Sequence, residues 1–406
     1  SENYEGDFMV PEGTVRIEAD AFAGCNGLVS LILPEDSSIS LGDRCFKGCQ
    51  GLERIELRGS IPEWGDETFM DCTSLKSVDI GSEGTTNRRS DGSYSIERIG
   101  TRAFKNCTGL TEAGCVSVRT VNRVWGKECF AGCSNLATLA ILNEARGKLE
   151  VIEDSAFEGC TGMTALLTSK YSGLKVIGKY AFRNCDTLKA PSIPASVTAV
   201  GEGCFMDCDN IQYVSFYGAL EEYPKDCFKN CPKLLKTGGT AAAFSGLKRI
   251  GEGAYEGCVS LTSTQELNWG LYKYTNLEEI GANAFQGCIS LPDSELPATV
   301  KKIGKGAFDG CTSIRILTLG AELPPQMDGF TLASMAVDFG IRVPDSEAEG
   351  DRIYKAYYES LLQILDETEV RQILDSVSDG AKGRNTQTEE ISLQEQRTET
   401  DKGEEP

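Results

Sequence analysis

The sequence predicts a solenoid, mainly β or α/β, made of short stacked coils and ending in a helical cap. Two observations predict it. An aromatic residue stands three positions before a cysteine twelve times in 406 residues, with intervals between the final cysteines of 24, 23, 35, 26, 27, 25, 23, 23, 27, 30 and 23. A unit of about 23 residues with insertions accounts for all of them. Past residue 350 the apolar spacing changes from strand-like alternation to every third or fourth position, which is the period of a helix.

The copies are AFAGC (21–25), CFKGC (45–49), TFMDC (68–72), AFKNC (103–107), CFAGC (129–133), AFEGC (156–160), AFRNC (181–185), CFMDC (204–208), CFKNC (227–231), AYEGC (254–258), AFQGC (284–288) and AFDGC (307–311). An apolar-x-x-Ile-Gly pattern precedes each phrase, as in LKVIGKYAF (174–182), and a run such as LERIEL (52–57), LKSVDI (75–80) or IRILTL (314–319) follows it. Each unit therefore offers two short extended segments and a tight corner. No segment is long enough to bury its own apolar face, so stacking must make the core.

The C-x3-C spacing at 45–49 raises metal or redox chemistry, but repetition answers it. Cys45, Cys129, Cys204 and Cys227 stand where other copies have alanine, and the final cysteines read as a buried column. Free thiols are expected through most of it. A disulfide between adjacent coils is geometrically permitted, and Cys204 with Cys227 is the leading pair. Gly24, Gly48, Gly132, Gly159, Gly257, Gly287 and Gly310, with Asn106, Asn184, Asn230, Asp71 and Asp207, are expected at positive φ before that cysteine. Gly42, Gly100, Gly178, Gly201, Gly251, Gly281 and Gly304 are expected to share that conformation.

The 17 cysteines contrast with an absence of histidine, which removes Ser-His-Asp and Cys-His catalysis, histidine metal sites and histidine pH switching. No catalytic residue, cofactor or metal is expected. A formal net charge of −21 sets the chain against phosphate backbones, so nucleic acid is not an expected partner. No stretch approaches the roughly 18 apolar residues of a spanning helix.

IEADAFAGCNGLVSLILP (17–34) and LEEIGANAFQGCISL (277–291) resemble the leucine-rich repeat of the BspA-like family. The resemblance implies a leucine-rich repeat array of about 12–13 coils over residues 15–345. It also implies a surface or secreted location and an adhesion-like role in binding host or neighbouring-cell proteins. IPEWGDETF (61–69), Pro224 and the YSG at 171–173 depart locally from the pattern.

Residues 1–14 read as an N-terminal cap, with insertions near 81–95, 142–148 and 262–276. AAAF (241–244) reads as a fragment of a degenerate unit. The C-terminal cap spans 346–377, with apolar positions Ile353, Tyr357, Leu361, Ile364, Leu365, Val370, Ile373 and Leu374 and a hinge near Asp366–Thr368. Residues 378–406 are polar and acidic, the composition of a disordered tail.

Outward letters of the post-cysteine runs differ from coil to coil: Glu53, Arg54, Glu56; Lys76, Ser77, Asp79; Ala137, Thr138, Ala140; Gln212, Tyr213, Ser215; Arg315, Ile316, Thr318. Within them Tyr213 and Tyr217, joined by Trp269, Tyr272 and Tyr274 of the third insertion, form the candidate recognition patch. Trp64 and Trp125 read as packing residues. The expected function is a non-catalytic surface or secreted scaffold that binds an extracellular protein as a monomer. Glycan binding and a structural spacer are the alternatives.

Overall fold

The computed structural model describes residues 4–34, 37–57, 61, 64–80, 98–111, 116–118, 123–137, 149–164, 171–262, 274–329, 335, 339–344 and 350–375. The insertions at 81–95 and 142–148, the tail at 378–406, and Trp269 and Tyr272 lie outside the described residues. Among the described residues each coil carries a strand before the aromatic-cysteine corner, reduced at Trp64 to a single bridge with Leu41, and in much of the array a second strand follows the corner. Examples are Val176–Ile177 before the corner at Phe182, and Tyr213–Phe216 after the corner at Phe205. Equivalent strands pair in parallel with their counterpart one coil away: Val176 lies opposite Val151, Ser215 opposite Ser192, and Arg54 opposite Ser77. Parallel pairing needs a long return connection, and a whole coil supplies it.

The corners stack into one column of twelve rings, from Phe22 through Phe46, Phe69, Phe104, Phe130, Phe157, Phe182, Phe205, Phe228, Tyr255 and Phe285 to Phe308. Successive centroids lie 5.2–5.9 Å apart and the planes are near parallel. Beside the rings runs the cysteine column. The Sγ–H of Cys49 donates to the Phe22 carbonyl of the preceding coil at 3.0 Å, and Cys72, Cys107, Cys133, Cys160 and Cys185 repeat the bond at 3.0–3.3 Å. Cys208, Cys231, Cys258, Cys288 and Cys311 continue it at 3.0–3.1 Å. The same Phe22 carbonyl also accepts the Cys25 amide within its own coil at 3.0 Å, so both of its lone pairs are engaged. A small side chain with a polarizable donor is what this slot requires. Cys204 and Cys227 are buried and unbonded to each other.

At the N-terminal end, strand Gly6–Met9 pairs in parallel with Leu28–Leu33, Phe8 lies 4.8 Å from Phe22, and the Tyr4 carbonyl accepts Cys25 Sγ at 3.8 Å. This segment gives the first coil what each coil gives the next. At the other end, helices Gly350–Leu361 and Glu367–Asp375 bury Ile353, Tyr357, Leu361, Val370, Ile373 and Leu374, while Ile364 and Leu365 pack partly buried against the core. The Tyr357 hydroxyl donates to the Ala321 carbonyl at 2.7 Å, fixing the first helix to the array. Asp366 and Glu369 exchange side-chain and amide bonds at 2.9 and 3.1 Å, a capping box that starts the second helix.

Two expectations need correction. AAAF belongs to a helix, Ala241–Gly246, started by Thr240, whose hydroxyl accepts the Ala243 amide. The strand before it, Lys236–Gly239, keeps register with Tyr213–Phe216, so the helix is an excursion from a regular coil. Gly42, Gly100, Gly178, Gly201, Gly251, Gly281 and Gly304 are not at positive φ. They sit against the backbone of the preceding coil: a Cβ on Gly201 would lie 2.3 Å from Lys179 N and 2.5 Å from Gly178 C. Close approach, not turn geometry, selects glycine there. Gly201→Ala is expected to cost about 3 kcal/mol in urea unfolding, because the main chain of the preceding coil, held in the stack, cannot move aside. Asn184→Gly, at a φ of 56° where other copies carry glycine, is expected to shift the midpoint little.

The positions expected at positive φ before the final cysteine do adopt it, from Gly24 to Gly310. A second left-handed column, two residues before each ring, escaped the sequence reading. It contains Asp20, Arg44, Glu67, Arg102, Glu128, Ser155, Tyr180, Asp226 and Asn283, besides three glycines. The Arg44 amide donates to Asp66 O at 2.8 Å and the Glu67 amide to Thr101 O at 2.7 Å. Hydrogen bonds to the next coil therefore impose the conformation whatever the side chain.

Candidate recognition face

Among the described residues, every outward letter named above is at least partly exposed, while the alternating letters such as Ile55, Val78, Val214 and Leu317 are buried. Tyr213 is half-buried on its strand, with Lys236 Nζ of the next coil 5.6 Å from its ring centroid. Tyr217, just past the strand end, is 43% exposed. Ser192, Ser215 and Gly238 form a small-residue row beside Tyr213 and Lys236. An amphipathic phenol, a lysine and small neighbours make a low, solvent-facing surface.

Tyr274 does not join it. It is 1% exposed and packs edge-on against Tyr223, centroids 6.3 Å apart. The return from the insertion brings this ring under the coil, next to the buried Thr237–Tyr255 hydroxyl pair at 2.7 Å. Tyr274 is a core residue, and its place in the recognition patch is withdrawn. Trp125 packs edge-on to Phe157 and Tyr171, and Trp64 lies against Phe69 and Phe104.

The opposite strand column has a different surface. Glu221, Lys248, Glu278 and Lys301 alternate in sign over four coils, with Lys248–Glu221 and Lys301–Glu278 both at 3.0 Å. Glu222, Arg249, Glu279 and Lys302 form a parallel row, closed by Arg249–Glu222 and by Lys302–Glu279 at 3.1 Å. Cross-strand opposite charges favour this register over a slipped one. At the corners Asp20, Arg44, Glu67, Arg102 and Glu128 alternate likewise. Arg102 grips Glu128 through two bonds of 3.0 Å, Lys105 adds a third, and together they hold the carboxyl down at about 2. A depressed folded pKa contributes stability above the unfolded value of 4.5 that is lost as pH falls toward 2. Glu128→Gln is expected to cost on the order of 2 kcal/mol at neutral pH, with the two melting curves converging in acid.

The described cysteines are all buried. Burial pushes most of their thiols up, Cys45, Cys133 and Cys311 to about 12, while contact with Cys72 draws Cys49 down. Among the described residues no group of three or more metal-ligating side chains converges, and no helix is long and apolar enough to cross a membrane.

Coils stacked in register, one flank locked by ion pairs and one sheet face varied, define the chain as a repeat solenoid scaffold. It belongs to the BspA type leucine rich repeat family, whose pattern matches residues 6–90, 90–165, 123–262 and 240–325. It is similar to a leucine-rich repeat protein from Bacteroides ovatus at 23% identity over 84% of this chain and 92% of that one, TM-score 0.49. A leucine rich cell surface protein from Faecalibacterium prausnitzii shares 18% identity over 87% and 90%, TM-score 0.42. The pneumococcal vaccine antigen PcpA shares 16% over 84% and 79%, TM-score 0.32. No curated protein matches the chain.

Proposed function

We propose that this chain is a non-catalytic scaffold, displayed at a cell surface or secreted, that binds an extracellular protein on its post-cysteine sheet. The observation that carries this reading is the contrast between its two strand columns. On one, charges alternate and satisfy each other from coil to coil, as register requires. On the other, one such inter-coil pair, Lys76–Glu53 at 2.9 Å, joins outward letters of the early coils, while around Tyr213 and Tyr217 the outward letters supply the tyrosines enriched in protein-binding hot spots. Family membership supports a surface setting.

A screen against extracellular matrix proteins and glycans tests it, repeated with Tyr213→Ala, Tyr217→Ala and Trp269→Ala. Tyr213→Ala is expected to weaken protein capture about tenfold or more without lowering the melting temperature. Tyr274→Ala is expected to lower the melting temperature instead. Capture that survives all three of these substitutions would remove the patch from consideration, and binding confined to the glycan arm would replace the protein ligand.

A further inference from the structure

Eleven of the thiols described above tie one coil to the next by donating to a main-chain carbonyl, and a thiol donates only while it keeps its hydrogen. We infer that the stack is a one-way redox gate: coils assemble only from a reduced chain, and the assembled stack then shields its thiols from disulfide oxidants. A disulfide needs sulfurs about 2.05 Å apart with no S–H, so joining two column cysteines removes two inter-coil bonds and draws both sulfurs off their carbonyls. Neighbours in the column are 23–35 residues apart in sequence, and in an unfolded chain the cost of closing a loop rises slowly with its length. Wrong pairings are then nearly as accessible as adjacent ones.

The step balances with glutathione disulfide as oxidant. A cysteine thiolate attacks one of its sulfurs, expels glutathione thiolate and leaves a mixed disulfide. A second cysteine thiolate displaces the second glutathione. Two cysteines are oxidised to one disulfide, one glutathione disulfide is reduced to two glutathiones, and the two thiol protons pass to these. In the folded array Cys107, Cys160, Cys204 and Cys258 have no exposed surface from which to begin.

The test incubates the full chain with glutathione disulfide across a urea series and counts modified cysteines by mass. With Cys115→Ser in place, since Cys115 lies outside the described residues, no modification is expected below the unfolding transition, followed by modification tracking unfolding. On removal of urea the oxidised chain is expected to regain less than about a tenth of its native circular dichroism, and dithiothreitol to restore it. Modification of the folded protein, native recovery without reductant, or failure of reductant to restore the fold would each overturn the gate. The double variant Cys204→Ala with Cys227→Ala places alanine where Ala156, Ala181 and Ala254 already sit in other coils. It is expected to be trapped equally. Its escape would assign the block to that pair and overturn the role of the column.

Discussion

Above pH 9 the folded array is expected to lose stability steeply and to unfold between about pH 10 and 11. The cause is the neutral thiol column. Burial raises Cys45, Cys133 and Cys311 from 9.0 to about 12, and Cys107, Cys160, Cys204 and Cys227 move in the same direction. A folded pKa above the unfolded one means that the contribution is complete below pH 9 and disappears as pH climbs toward the folded value. Each pH unit beyond 9 then costs about 1.4 kcal/mol per such thiol, so three alone remove about 4 kcal/mol by pH 10. Domain stabilities are about 5–15 kcal/mol in total. Urea midpoints measured across the alkaline range check this, with thiolate ultraviolet absorbance followed alongside circular dichroism. Beyond the thiolate of Cys49, which its contact with Cys72 draws down, and of Cys115, which lies outside the described residues, the two signals should change together. Thiolate from the other column cysteines in a still-folded chain, or a midpoint unmoved by pH 11, would contradict the buried column.

Phe157→Ala is expected to cost about 3–5 kcal/mol, the range for emptying a large aromatic site in a packed core. Phe157 lies 5.4 Å from Phe130, 5.5 Å from Phe182 and 5.3 Å from Trp125, so a cavity there faces rings on three sides. Because each coil leans mainly on its two neighbours, the lesion also weakens cooperation between the halves of the array. Urea unfolding should broaden or split into two transitions. Phe22→Ala, at the partly buried first ring, should cost less and leave one transition. Equal costs at the two positions would argue against a continuous ring column.

Most of the fold was legible because the chain compares itself with itself. Twelve copies separate what packing holds constant, the ring and the thiol, from what solvent lets vary. The left-handed positions before each final cysteine were readable because glycine, asparagine and aspartate mark them. The second left-handed column was not, since Arg44, Glu67 and Tyr180 carry no such mark and their backbone is set by a bond to another coil. Gly201 was visible as a glycine, but its reason lies in Lys179 and Gly178 beneath it, which only stacking reveals. Of the recognition patch, Tyr213 and Tyr217 follow a strand period that gives their side of the sheet. Tyr274 follows an insertion without a period, and nothing local tells whether such a ring turns outward or under.

The in-register stack has one more consequence. A unit that bonds mainly to the unit above and the unit below can be duplicated or excised with little redesign elsewhere. The repeated spacing of 23 residues between Cys185, Cys208 and Cys231 fits such copying. Slippage during replication of the gene would then alter the reach of the molecule in increments of about 4.8 Å, leaving the chemistry at either end untouched.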